Sequence, residues 1–313
     1  MIDFRYHLIS LIAVFLALGL GILMGSVVLD DRLVERLQAR VSETIRSNGD
    51  LRARINDLDG RLTAFEEFAS AAEAPLIDET LLGETVVLIE IEGTDGALVE
   101  GVRETIERAG GEVATALVLT ERFSLSDRTE RDQLALILGS SSDTARDLRT
   151  EVATTLGQEM SAAASRNAER GGPVNERFLQ LMTELRENDF IGVDSDEDSA
   201  LVPAGTLFML LGGSEGEPAF DAIPIALTLA NSLADGGAPA LAAGTTRGAW
   251  GFVTAFRDDG KAQTQVSTVD NADTIPGRIA VVLALDEVER GLVGHYGQED
   301  GAEQALPEAS SGG

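Results

Sequence analysis

Three patterns of apolar and polar residues follow one another along this chain. Leu8 to Leu29 carries no charge. From Asp30 to about residue 70, apolar residues recur in alternating steps of three and four. Beyond residue 84, short β-branched runs alternate with amphipathic stretches and glycine-rich turns. Each pattern predicts a different kind of element.

As an α-helix, the uncharged run spans ~33 Å, close to the hydrocarbon thickness of a bilayer. A secretory signal is the rival reading, but its apolar region is shorter and a small-x-small cleavage site follows it. Here the run ends Met24-Gly25-Ser26-Val27-Val28-Leu29-Asp30, which offers no such site. The pattern therefore predicts an uncleaved anchor in contact with lipid over residues 8–29. Arg5 and the amino terminus precede the run and Asp30 and Asp31 follow it. By the positive-inside rule the amino terminus is cytoplasmic and the rest extracytoplasmic, a contrast that Arg32, Arg36 and Arg40 reduce. Ala13, Ala17, Gly21 and Gly25 form a small-residue stripe of the kind that lets two helices approach closely in lipid.

In the next segment, Val34, Val41, Asn48, Ile55, Leu62 and Ala69 fall at heptad position a. Leu37, Thr44, Leu51, Leu58 and Phe65 fall at d. β-branched residues at a with Leu at d favour two parallel strands, and a single Asn at a sets their register. In that arrangement Arg54 faces Asp59 of the partner and Arg61 faces Glu66, both attractive. The expectation is a coiled-coil stem that makes the chain a parallel homodimer. A single amphipathic helix lying on its own domain is the alternative.

After a linker in which Pro75 closes the helix, strands are expected at Thr85–Ile91, Val113–Thr120, Thr206–Leu211, Pro239–Ala243 and Gln265–Val269. Helices are expected at Ala97–Ala109, Asp127–Leu138, Thr144–Ala164, Val174–Glu187, Asp221–Ala234, Gly248–Arg257 and Ile275–Arg290. Alternation of this kind builds a mostly parallel sheet covered on both faces. The fold class is α/β: a transmembrane helix and coiled coil followed by a doubly wound, Rossmann- or flavodoxin-like sheet domain. The expected divisions are an anchor at 1–29, a stem at 30–70, a linker at 71–84, the α/β domain at 85–297 and a disordered acidic tail at 298–313.

Composition narrows the function. Asp and Glu number 53 against 24 Lys and Arg, a net charge of -29 that repels nucleic acid. Adaptation to salt explains the same excess. There is no Cys, which removes disulfides, thiolate nucleophiles and zinc knuckles.

Ligands in doubly wound sheets bind beyond the carboxyl ends of the strands. Three turns lie there, Gly93–Gly96, Gly212–Gly216 and Asp270–Thr274. None matches a phosphate-binding fingerprint, and their carboxylates repel phosphate. Asp95, Asp270 and Asp273 are candidate ligands for a hard cation, against a simpler role for Asp273 or Thr274 as a helix cap. No G-x-S-x-G occurs. His295 reads as a packed or surface loop residue rather than a base, so no enzyme and no cofactor are expected. Met160, Met182 and Met209, the soft donors of the domain, are far apart in sequence.

Two stretches resemble a known family. One is Ile2-Asp3-Phe4-Arg5-Tyr6-His7 with Ser10 to Leu18 and Gly25-Ser26; the other is Ser267 to Thr274 with Gly277-Arg278, Ala284-Leu285 and Gly294-His295-Tyr296-Gly297. Together they resemble the actinobacterial copper-transport outer-membrane protein family, MctB-like. The resemblance implies a role in copper homeostasis or efflux across the cell envelope, an outer-membrane location and an oligomeric channel. Copper is implied by resemblance only, and no residue is assigned as a ligand. The residues themselves read as buried βα units rather than the lipid-facing alternating strands of a barrel. A scaffold that recruits other envelope proteins, for division or wall synthesis, through the coiled coil and acidic domain is the second reading.

Overall fold

A computed structural model describes residues 4–170, 176–194, 202, 206–246 and 248–308, without the side chains of 26–34 and 166–170. The chain divides into two compact units, Met1–Glu67 and Phe68–Gly313.

Helix α1, Phe4–Ile77, is continuous over 74 residues. Its portion Phe4–Gly25 is long and apolar enough to cross a membrane. Further along, Leu37, Val41, Leu51, Ile55, Leu58, Leu62 and Phe65 are all exposed. Val34, expected on the same stripe, lies outside the described side chains. The helix does not stop at Pro75 as the sequence suggests. Pro75 sits in the last turn, and Ile77 and Leu81 are buried in the second unit. That burial, with the bond from Leu81 N–H to the Ala109 carbonyl (2.9 Å), holds the supposed linker against the domain.

The second unit then runs β1 Thr85–Ile91, α2 Gly96–Arg108, β2 Glu112–Leu119, α3 Arg128–Leu138, α4 Ala145–Arg170, α5 Glu176–Glu187, β3 Ile191–Asp194 and β4 Leu207–Leu211. It continues with α6 Ile223–Asp235, β5 Ala240–Ala243, α7 Phe252–Asp258, α8 Ala262–Gln265, β6 Ser267–Val269, α9 Ile275–Glu289 and β7 His295–Tyr296. Among the described residues the strands form one seven-stranded sheet in the order β3-β2-β1-β4-β5-β6-β7. Only β3, at one edge, is antiparallel to its neighbour.

Alternation along the strands builds two cores. Val87, Ile89, Phe208 and Leu210 face α4, α5 and α6, while Val86, Leu88, Leu207 and Met209 face α2, α9 and the end of α1. A near-continuous apolar run such as Leu207–Leu211, buried throughout, is what a central parallel strand covered on both faces requires. The doubly wound expectation is met.

Two edge strands and the tail depart from it. β3 and β7 are too short to show periodicity, and their pairing partners lie far away in sequence. The segment from Gln298, expected to be disordered, packs through residue 308. Its Gln298 and Glu299 N–H groups donate to Asp270, Gln304 bridges to Tyr296, and Leu306 joins the core. Residues 309–313 lie outside the described residues.

Candidate functional site

Strands β1 and β4 are neighbours, and the helices that follow them cover opposite faces of the sheet. The chain therefore reverses its winding between them, and a crevice opens beyond their carboxyl ends. The Asp95 N–H donates to the Gly213 carbonyl (3.0 Å), tying the two turns together. Beside them lies a cavity of about 300 Å³ lined by Asp95, Glu215, Thr245, Thr246, Asp273 and Thr274. Turns after β1, β4, β5 and β6 each contribute to it.

The polar groups of this cavity are partly committed. Asp95 caps α2, its Oδ1 accepting from Ala97 N–H (2.9 Å). Asp273 Oδ1 accepts from both the backbone N–H (2.8 Å) and the hydroxyl (2.9 Å) of Thr246. Thr274, not Asp273, caps α9, accepting from Gly277 N–H (3.1 Å), with Pro276 in the first turn. The buried hydroxyl oxygen of Thr245 has no partner among the described residues. The polar side-chain atoms of the lining are all oxygens and its carboxylates make it net negative, which suits a cation or a hydroxyl-rich molecule and disfavours phosphate. Among the described residues, no three His, Asp or Glu side chains come close enough to hold a metal ion.

Asp270, the third expected cation ligand, is not in this cavity. It is fully buried and paired with Arg257 of α7, Nη1 to Oδ2 at 2.8 Å. Asp270 also accepts from the N–H groups of Gln298 (2.8 Å) and Glu299 (2.9 Å). The same guanidinium donates to the Tyr296 carbonyl (2.8 Å) and the Thr268 hydroxyl (2.9 Å). With its oxygens taken by an arginine and two backbone amides, Asp270 is a structural anchor for β7 and the tail, which corrects the sequence assignment.

His295 closes the network. Its Nε2 lies 2.9 Å from the Gln263 carbonyl, which only accepts, so Nε2 carries the proton. Nδ1 then accepts from the Thr268 hydroxyl at 2.9 Å. Both ring nitrogens are engaged, as a packed histidine requires. The Tyr296 hydroxyl donates to Glu287, and burial and that carboxylate hold the phenol far above its ordinary value. Glu299 is held above the usual carboxylate range by burial, then by Asp270.

A soft-metal site is not assembled among the described residues. Met160 and Met182 pack in the core on one face of the sheet and Met209 in the core on the other.

Sequence reading missed Thr245 and Thr246. The Gly244–Thr246 turn follows β5 at its carboxyl end, so the rule that found the other turns applied there too. It also missed Arg257, which nothing local connects to Asp270. The single tryptophan, Trp250, donates from Nε1 to the Gly216 carbonyl (2.8 Å) and lies close to Gly93.

Fold and cavity together define a doubly wound α/β domain carried on a long helix whose first part can cross a membrane. The chain belongs to the family described as copper transport outer membrane protein, MctB, whose match covers residues 1–307. It is similar to the copper transporter MctB of Mycobacterium tuberculosis, 28% identical over 310 residues and covering 96% of this chain and 98% of that one. The Mycobacterium leprae copper transporter MctB is 28% identical over 314 residues, with the same coverage of 96% and 98%.

Proposed function

We propose that this chain is a single-pass envelope protein that takes part in copper homeostasis or efflux, with its α/β domain on the extracytoplasmic side and no catalysis of its own. The observation that carries this reading is the end-to-end match to relatives named copper transporters, 96% of this chain against 98% of theirs. Phe4–Gly25 supports the anchor. Arg5 before the helix and Asp30 and Asp31 after it support the orientation.

The donor set bears on how copper is handled. Cuprous ions select thiolate, thioether and imidazole ligands. This chain has no Cys, its core methionines are split between two faces of a sheet, and both ring nitrogens of His295 are engaged. Copper on this reading is cargo of the assembled protein or its partners, not a resident ion of one domain. The engaged histidine also favours a non-enzymatic role.

Deletion of the gene is the test. The expected result is higher cell-associated copper and greater copper sensitivity, both restored by the full chain. Unchanged copper content with septation defects would instead support an envelope scaffold and sink the copper reading.

A further inference from the structure

Within Met1–Glu67, Leu37, Val41, Leu51, Ile55, Leu58, Leu62 and Phe65 form one stripe of α1, each between 52% and 61% exposed. Water is a poor solvent for such a stripe, and so long a heptad pattern is seldom kept without a helical partner. Ala69, the next a position after Leu62, is 5% exposed, and the face buried beyond it drifts off the stripe: Glu73 (5%) and Ile77 (1%) fall at e and b of the register, while Leu76, the following a position, is 42% exposed. Glu73 is held there by Arg108 of α2, Nη1 to Oε2 at 2.5 Å and Nη2 to Oε1 at 3.1 Å. The stripe is thus exposed from Leu37 to Phe65, and burial on α1 begins at Ala69.

The flanks of the stripe say what covers it. Arg54 and Arg61 at position g, with Asp59 and Glu66 at the following e, are exposed and complementary to a second copy set parallel and in register. Arg61 is within 3.0 Å of Asp57 on its own helix, an exposed pair worth little and readily exchanged for a partner's carboxylate. Asn48, midway along the stripe and exposed, finds its amide complement in the same residue of an in-register copy. Gly49 and Gly60 have open space around them and lie off the seam.

We propose that a second copy of this chain covers the α1 face from Leu37 to Phe65 as a parallel, in-register coiled coil. The seam ends at Ala69, which the chain's own domain buries. The pairing stands independently of the copper reading.

The chain has no cysteine, so single-cysteine variants of the full protein in nanodiscs report each position without background. Under mild oxidation, Leu37→Cys and Phe65→Cys should each form covalent homodimers at least ten times faster than Ala53→Cys, on the outer face, or Leu76→Cys, beyond the seam. Light scattering should give the mass of two chains. A one-chain mass would overturn the pairing, as would equal rates at Ala53 and Phe65. Cross-linking only between Leu37→Cys and Phe65→Cys in a mixture would show an antiparallel pair and overturn the register. Cross-linking at Leu76 as fast as at Phe65 would overturn the handover at Ala69. None of these outcomes alters the copper content of a deletion strain, so the two proposals fail separately.

Discussion

Arg257 and Asp270 form an ion pair at 2.8 Å in which the two side chains are 3% and 0% exposed. The pair joins α7 to the turn after β6, and the other hydrogen bonds of the two partners reach β6, β7 and the tail. Removing one partner leaves an uncompensated buried charge, which typically costs about 3–5 kcal/mol. Asp270→Leu and Arg257→Met should each lower stability by that order in chemical unfolding of the full chain. Arg257→Met with Asp270→Leu should lose less than either single variant. Additive losses in this double-mutant cycle would show that the two do not act as a pair.

The carboxyls of Glu84, Glu90 and Glu299 are held above their ordinary value of 4.5, burial being the largest cause for each. Glu289 and Asp286 add repulsion at Glu84. A raised pKa means that the folded state binds protons more tightly than the unfolded state. The stability these groups contribute is full below 4.5 and is lost as pH rises through their folded values. Asp259 has the opposite sign: the Ala262 N–H bond lowers its pKa, so its contribution is lost on acidification. Glu84→Gln should raise the melting temperature at pH ~7 and flatten its decline above pH ~4.5. A lower melting temperature at neutral pH would contradict the assigned cause. Added salt should act in the same direction as Glu84→Gln, because it screens Glu84 from Asp286 and Glu289.

Gly277 lies in the first turn of α9, and a Cβ there would overlap the Asn271 carbonyl oxygen. That atom belongs to the backbone of the turn whose Thr274 caps the helix, so it cannot swing aside. Gly277→Ala should therefore cost at least ~1–3 kcal/mol, the range for forced overpacking. Gly96, at the start of α2, has open space around it, and Gly96→Ala should be neutral or stabilising by up to ~1 kcal/mol. Equal effects in urea titrations of the two variants would refute the steric argument.

Leu136 is 82% exposed on α3 and gives a handle for topology. In spheroplasts, a membrane-impermeant maleimide should label Leu136→Cys fully, with no gain on lysis. Labelling that requires lysis would place the domain in the cytoplasm and reverse the proposed orientation.

The sequence showed most of the fold because its signals are local. β1 was read at its observed bounds, and α2, α3, α6 and α9 were placed within two residues of theirs, since buried alternation and capping residues mark such elements without tertiary help. The cavity was half legible. Asp95 and Asp273 were named from turns beyond strand ends and do meet there, while Thr245 and Thr246 sat in a turn passed over. β3 and β7 were invisible because two to four residues carry no period, and pairing alone makes them strands.

By itself, the amino-acid sequence determined a membrane-length apolar run, a heptad stripe and the order of strands and helices. Each depends on spacing between near neighbours. Tertiary structure decided which carboxylates share a cavity, that Asp270 answers Arg257 instead of a ligand, and that residues 298–308 pack against the sheet. It also decided that burial on α1 begins at Ala69 and continues through Glu73 and Ile77, off the heptad stripe. These outcomes depend on which distant segments the sheet order brings together, and hydrophobic periodicity carries no record of that order.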